Sequence, residues 1–378
     1  MSKKIRKLAA VCMMVLLVAQ SNPVIYGQEE QVSKTSAICT IKEVDENGKS
    51  TISTHPQDEA INKVFTQAKE TLKKKVTIKV EQVDKERLEK YIVPGPLVPY
   101  VRSAVLTSVD DKTIEAEINY TTWYQAIKAY REPNLYEKHI SETSKKTLKR
   151  AKEIIKELKL DKETSAIVKE KAIHDYLISK GEYSEVIDGN MDAPMHGAEG
   201  LILNNDGLCR SYAEGMQLFM ELLGVESKII MGWSRNSYDK HVWNMVKLDD
   251  GNWYYVDLTW DEPNPVVSGE VNYDYFNIPF RILNVDHELE EWQVPEETFE
   301  TAYSPYESVI AYCNDDVVDI IKKQLAAGER KGEVYIAFGS NVENTIPLVL
   351  RAMEATETCG KVKLDKKSPK IFAYEIFE

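Results

Sequence analysis

A cysteine in the middle of the chain has the setting of a reactive thiol. Cys209 follows Gly207 and opens an apolar segment with helical periodicity, so we predict that it lies in the first turn of a helix. The unpaired N–H groups and the dipole of a helix N-terminus favour a thiolate, and Gly207 lets another backbone or a substrate approach closely. Packing as a small buried hydrophobe is the alternative role for Cys209.

A predicted hairpin supplies the partners that such a thiol needs. Two alternating segments, 241–248 and 252–258, flank the three-residue loop Asp249-Asp250-Gly251, a common hairpin closure. This loop places His241 and Asp257 on the same face of the sheet as diagonal neighbours, whereas a two-residue loop would put them on opposite faces. A carboxylate beside one imidazole nitrogen fixes the tautomer, so the other nitrogen can take a proton from a thiol.

The elements around these residues predict a mixed chain of helices and strands. Two amphipathic helices, at 144–158 and 163–179, precede a loop and the cysteine helix 208–223. Strands and helices also alternate before and after this core. The predicted elements there are helix 58–75, strand 76–80, hairpin 103–109/113–120, strand 308–313, helix 315–327, strand 333–338, helix 344–355 and strand 370–377.

Three separated motifs resemble the core of the transglutaminase-like superfamily. They are Gly207-Leu208-Cys209-Arg210-Ser211-Tyr212-Ala213, His241-Val242-Trp243-Asn244 and Trp253-Tyr254-Tyr255-Val256-Asp257-Leu258-Thr259-Trp260-Asp261, with Ile173-His174-Asp175-Tyr176-Leu177 upstream. The resemblance covers roughly residues 140–295. Leu258 departs from the Asp-Pro-Thr-Trp that the family often has, while the aspartate itself is intact.

The resemblance implies an α+β fold class with a papain-like core, in which the cysteine helix packs on an antiparallel sheet that carries His and Asp. It also implies an acyl transferase or amide hydrolase that acts on protein or peptide amides. Cys209 would form a thioester, His241 would act as the base and Asp257 would orient it, with water or an amine as the acceptor. The Cys209 backbone N–H is the natural oxyanion donor, and no upstream Gln or Trp can be assigned as a second donor.

The ends of the chain predict export and a division into domains. A basic head, an apolar stretch from Leu8 to Ala19 and the small residue Gly27 predict a signal peptide over 1–27, with an uncleaved anchor as the alternative. A flexible polar leader, 28–57, follows. We then predict a small α+β domain over 58–139, the transglutaminase-like core over 140–300 and a C-terminal α/β module over 301–378. The mature protein would be secreted or associated with the cell surface.

Composition excludes several classes of partner and cofactor. With 48 basic and 61 acidic residues, the net charge of −13 argues against nucleic acid as a partner and favours cationic substrates through long-range steering. The chain has no Cys-x-x-Cys pair, no His-x-x-x-His and no acidic calcium loop, so we expect no cofactor and no metal. After signal cleavage we expect no membrane span. The oligomeric state and any pairing of Cys313 with Cys359 stay open.

Two other functions are compatible with these residues. The fold could serve as a catalytically silent binding or scaffold module at the cell surface, although an intact Cys209, His241 and Asp257 argues against it. A metal site through Cys209 and His241 would need at least one more ligand, which the sequence does not offer nearby. We interpret His174 as a packing or capping residue and His196 as a solvent-exposed loop residue.

Overall fold

The computed structural model describes eleven stretches of the chain, which fall into two compact units. The described stretches are 34–37, 43–44, 50–51, 55–91, 93, 97–184, 193–263, 271–290, 309–337, 345–366 and 370–377. The cysteine unit comprises described residues up to 161 together with 184–222, and the histidine unit comprises 162–183 together with 223–377. The predicted signal peptide, 1–27, lies outside the described residues.

The first half of the chain alternates short helices with strands, and its elements run in the order β1 (Lys34–Ala37), β2 (Glu43–Val44), β3 (Ser50–Thr51), α1 (Pro56–Glu70), β4 (Lys75–Lys79), α2 (Lys85–Glu89), β5 (Val101–Asp110), β6 (Thr113–Tyr120), α3 (Thr122–Arg131), α4 (Pro133–Tyr136), α5 (Glu142–Glu157), α6 (Ala166–Lys180), β7 (Glu182–Tyr183), α7 (Ala198–Asn204), β8 (Asp206–Gly207) and α8 (Cys209–Leu223). The second half follows the same pattern, with β9 (Ser227–Ser234), β10 (Lys240–Lys247), β11 (Trp253–Val256), α9 (Leu258–Asp261), α10 (Phe280–Leu283), β12 (His287–Leu289), β13 (Ile310–Ala311), α11 (Asn314–Ala326), β14 (Lys331–Ile336), α12 (Ile346–Ala355), β15 (Lys361–Lys366) and β16 (Ile371–Phe377).

An antiparallel sheet of order β1-β5-β6-β4 forms one layer of the cysteine unit. The predicted hairpin is present, since β5 and β6 pair in antiparallel fashion. The Asp110 carboxylate accepts a hydrogen bond from the Lys112 amide and closes the turn between them. Helices α3, α5 and α7 pack against one another in the same unit. Strand β1 lies within the segment that was predicted as a flexible leader, and it pairs with β5.

Two helices of this unit differ from the sequence prediction. Helix α3 was not predicted from the sequence, and most of its side chains, including those of Trp123, Tyr124, Ala126 and Ile127, are buried. Helix α7 lies inside the segment predicted as a loop, 181–207. It has only seven residues, so its apolar positions are too few to form a periodic pattern.

The histidine unit contains two four-stranded sheets. The first has the order β11-β10-β9-β12 and is antiparallel throughout. The second has the order β13-β14-β16-β15 and, with α11 and α12, forms the C-terminal module, residues 309–377. The α+β fold class predicted from the sequence is therefore confirmed.

A shared apolar cluster joins the C-terminal module to the first sheet of the histidine unit. Trp243, Met245 and Tyr255 from the first sheet pack in one buried cluster with Tyr335 and Ile371 from the module. A second cluster lies inside the module, between its sheet and α11 and α12. Across the residues that the structure describes, none of the helices combines the length and the apolar run that a membrane crossing requires.

Candidate active site

The hairpin of β10 and β11 brings His241 and Asp257 together. Met245 lies opposite Tyr255, and the Leu248 amide donates to the Asn252 carbonyl, so the loop has the predicted three residues. Gly251 has a φ of 84°, which is the left-handed conformation that this closure needs. The predicted hairpin register is therefore confirmed.

The contact between the two side chains is a short, buried hydrogen bond. His241 Nε2 lies 2.6 Å from Asp257 Oδ2, and the two residues are 3% and 1% exposed. Nε2 is therefore the ring nitrogen of His241 that faces the carboxylate. This is the orientation in which a carboxylate holds the neutral imidazole in one tautomer.

Asp257 is held on both of its carboxylate oxygens. As the N-cap of α9, it accepts hydrogen bonds through Oδ1 from the Thr259 and Trp260 amides, at 3.0 and 3.3 Å. Burial alone would raise the pKa of Asp257, but the charge and hydrogen bond of His241, and a second imidazole at His287, outweigh it and hold the pKa well below its usual range. The carboxylate is therefore ionised at neutral pH and accepts from every partner.

His287, the second imidazole on Asp257, was not predicted from the sequence. His287 begins β12, which pairs with the edge of the sheet at β9. Its Nε2 lies 3.1 Å from Asp257 Oδ2 and its Nδ1 lies 2.8 Å from Asp286 Oδ1. No local motif marks this residue, and only the pairing of β12 with β9 places it beside Asp257.

Aromatic rings enclose the two imidazoles. The ring of His241 lies 5.6 Å from that of Trp243 and 5.5 Å from that of Trp260, and Trp260 lies 4.2 Å from His287. Trp243 belongs to the shared apolar cluster, so core packing accounts for its position. Indole faces favour a nearby cation, and the setting suits an imidazole that acquires a proton during a reaction.

His241, Asp257 and His287 are also close enough together to be considered as metal ligands, with their ligand atoms within 4.8 Å of one another. Bonds of about 2.0–2.1 Å to a zinc ion in tetrahedral geometry would separate neighbouring ligand atoms by more than 3 Å. The 2.6 Å contact between His241 and Asp257 is instead a hydrogen-bond distance. The arrangement thus fits a shared carboxylate better than an ion.

Cys209 lies in the cysteine unit, where it is buried as the first residue of α8. Met195 fixes this helix end, because its carbonyl accepts hydrogen bonds from the Leu208 amide and from Ser211 Oγ. The close approach expected at Gly207 is made by Ser211, since a Cβ on Gly207 would lie 2.4 Å from that of Ser211. The thiol is thus placed at a helix N-terminus, as predicted.

Two arginines of the cysteine unit form ion pairs, Arg210 at the start of α8 and Arg102 with a residue of α7. Arg210 donates to Glu214 and to the carbonyl of Val98, which ties the first turn of the helix to the segment before β5. Arg102 forms a buried two-pronged pair with Glu199 on α7. The pair between Arg102 and Glu199 and the contact of Arg210 with Val98 were not predicted, because these partners are about 100 residues apart along the chain.

Two other histidines and two other cysteines considered in the sequence lie outside this arrangement. His174 is buried, and its ring bonds to Asp175 and Asp261, which agrees with the packing role predicted for it. The predicted exposure of His196 is wrong, because the short helical turn before α7 buries it. Cys313 and Cys359 are exposed, unpaired thiols.

Comparison with known proteins bears on the segment that contains these residues. Residues 150–258 match the family described as the transglutaminase-like superfamily, and this stretch includes Cys209, His241 and Asp257. The chain contains a transglutaminase-like domain. Among curated proteins, none matches this sequence.

Solved structures show only remote likeness. A TGase crystal structure is 13% identical, with 61% of this chain and 51% of that one covered and a TM-score of 0.28, so this chain spans about half of its length. The periplasmic domain of TgpA from Pseudomonas aeruginosa, bound to ethylmercury, is 14% identical, with 41% and 58% covered and a TM-score of 0.23. Likenesses this low carry no argument, and the family assignment rests on the matched segment.

Proposed function

We propose that the transglutaminase-like domain is a cysteine-dependent acyl transferase or amide hydrolase. Cys209 is the nucleophile, His241 the base and Asp257 the residue that orients the base. The observation that supports this most is the buried 2.6 Å hydrogen bond between His241 and an ionised Asp257. A carboxylate in this position holds His241 in one tautomer, which is what a base for a thiol needs.

The reaction divides the cleavage of an amide into two easier steps. Cys209 transfers its proton to Nδ1 of His241, and the thiolate attacks the amide carbonyl carbon. The C–N bond then breaks, and the departing amine takes the proton from His241. In the second step, water or an amine gives a proton back to His241 and attacks the thioester, which releases Cys209 as a thiol.

Two further features support parts of this mechanism. The Cys209 backbone N–H is at the first position of α8, where no intrahelical acceptor exists, so it is the oxyanion donor in our proposal. Asp257 is buried and ionised, so it stabilises the imidazolium form of His241 in the intermediate states.

The substrate and the cellular location belong to the same proposal. We infer that the chain is exported by its N-terminal signal and acts outside the cytoplasm on protein or peptide amides. Without the four basic residues of the signal, the mature chain has a net charge of −17, which favours the approach of lysine-rich proteins by a steering effect that should weaken as salt is added.

The proposed activity can be tested with the mature chain and a glutamine-containing protein. Incorporation of a fluorescent primary amine reports transfer, ammonia release reports deamidation, and mass spectrometry reports peptide cleavage. We expect at least one signal in the wild type and its loss in Cys209→Ala, with Cys313→Ala as the matched thiol control. A signal that persists in Cys209→Ala would contradict the assignment, and the absence of all three with lysine-rich and neutral substrates alike would favour the scaffold.

A further inference from the structure

A series of contacts between acidic, imidazole and lysine side chains connects the His241–Asp257 pair to the C-terminal module. Asp257 Oδ2 contacts Nε2 of His287, and Nδ1 of His287 contacts Asp286. Asp286 in turn pairs with Lys370, a buried residue of the module, at 3.0 Å. All of these groups belong to the histidine unit, and the mechanism proposed above uses only the first pair.

Both ring nitrogens of His287 lie within hydrogen-bond distance of a carboxylate, Nε2 of Asp257 and Nδ1 of Asp286. An ionised carboxylate can only accept, so the bond to Asp257 is a donation from Nε2. The ring is enclosed by Trp260, Trp243 and Tyr275, which hold it in place between the two carboxylates.

Asp286 anchors the far side of His287. Its Oδ1 faces His287, and its Oδ2 accepts from the Tyr275 hydroxyl at 2.6 Å and from Lys370. Burial alone would raise the pKa of Asp286, but His287, Lys370 and Tyr275 outweigh it and hold the pKa below its usual value. Asp286 is thereby held through both of its carboxylate oxygens.

We propose that His287 is a positioning residue for the reaction: it holds Oδ2 of Asp257 against His241, and Lys370 of the C-terminal module fixes it in place through Asp286. This inference rests on the proposed function. Without His287, Oδ2 would lose one of its two donors, and the tautomer of His241 would no longer be held. The C-terminal module is then part of the catalytic apparatus.

Two substitutions at one position separate positioning from packing. His287→Gln places an amide N–H where Nε2 lies, so it can keep the bond to Asp257. His287→Asn places its amide near Nδ1, so it can keep the bond to Asp286 and loses the one to Asp257. Both variants remove the ring from the aromatic enclosure, so a purely structural role would affect them alike.

The reaction of Cys209 with iodoacetamide across pH 6–9 is the first readout. We expect His287→Gln to keep the wild-type pH profile and His287→Asn to slow the reaction at pH 7 by at least about tenfold, as for the loss of one hydrogen bond to a charged group. Equal rates in the two variants, or the reverse order, would overturn the proposal.

The second readout, the tautomer of His241 by nitrogen NMR, does not depend on Cys209. We expect the proton on Nε2 in the wild type and in His287→Gln, and a mixture of tautomers in His287→Asn. If wild-type Cys209 shows no reactivity that depends on His241, the proposed function fails, while the tautomers still decide the role of His287. The same tautomer in all three proteins would overturn that role.

Lys370 provides a second variant in case neither change at position 287 allows folding. Lys370→Met keeps an unbranched side chain and removes the ammonium group that pairs with Asp286 and lies over the Tyr275 ring, whereas Lys370→Arg keeps a positive charge. We expect slower alkylation of Cys209 in Lys370→Met than in Lys370→Arg. An unchanged rate in Lys370→Met would show that the module does not act on the site.

Discussion

Asp257 combines three tasks that are usually given to separate groups. It caps α9 through Oδ1, it bonds His241 through Oδ2, and it contacts His287 through the same oxygen. Each partner lowers the free energy of the ionised carboxylate in a site where burial opposes it. A single buried carboxylate therefore links the stability of the histidine unit to the proposed chemistry.

Substitution of Asp257 should lower both stability and activity. We expect Asp257→Ala to reduce the free energy of unfolding by about 3 kcal/mol, because the cap and the buried charge partner are both lost. Asp257→Asn keeps a capping oxygen, so it should lose less stability while the Cys209 alkylation rate falls as far as in Asp257→Ala. Denaturant unfolding and alkylation rates test this, and full activity in either variant would break the assignment.

At the scale of residues, the sequence predicted the contacts that are set by segments close together along the chain. The loop Asp249-Asp250-Gly251 determines the register of the hairpin, so the meeting of His241 and Asp257 could be predicted from the closure alone. His287 could not, because it reaches Asp257 only through the pairing of β12 with β9. The partners of Asp286 and Lys370 are likewise set by packing between distant segments.

At the scale of elements, α6 and α9 are joined by a second histidine between carboxylates. His174 on α6 bonds to Asp175 on the same helix and to Asp261 at the end of α9. Burial alone would lower the pKa of His174, but these two hydrogen bonds outweigh it and raise the pKa. Burial raises the pKa of Asp261 to about 7, against the opposing effect of His174.

This cluster should make the protein less stable as the pH rises through neutrality. Both shifts mean that the folded state binds protons more tightly than the unfolded chain, so the stabilisation is present at low pH and is lost as the pH rises through about 7. We expect Tm to fall between about pH 5 and 8, and less steeply in Asp261→Asn, which removes one titrating group and one of the two carboxylates that raise the pKa of His174. Some slope should remain, because burial also raises the pKa of Glu170, to about 8. An equal slope in the variant would contradict this account.

Buried and exposed ion pairs in the cysteine unit should differ sharply in their effect. Loss of Arg102 would leave Glu199 buried and unpaired, so Arg102→Met should reduce the free energy of unfolding by about 3–5 kcal/mol. The pair between Arg131 and Glu221 is more exposed, and Arg131→Met should cost about 1 kcal/mol or less. Urea unfolding of the two variants tests this, and similar losses would show that burial does not decide the difference.

At the scale of the whole molecule, the C-terminal module is less separate than its sequence suggests. Alternating strands and helices predict an α/β module, and the structure contains one. Its residues Tyr335 and Ile371 nevertheless belong to the apolar cluster under the His241 sheet. The boundary between core and module at 300/301 stays a prediction, since composition marks a change of pattern and cannot show a shared core.

The central claim is that Cys209 is activated by His241, and selective alkylation of the mature chain tests it most directly. Exposure alone predicts that Cys313 and Cys359 react with iodoacetamide faster than buried Cys209. Our account predicts the opposite order at neutral pH, with the Cys209 rate falling at least about tenfold in His241→Ala while the other two are unchanged. If Cys209 reacts no faster than the exposed thiols, or if His241→Ala leaves its rate unchanged, the account is wrong.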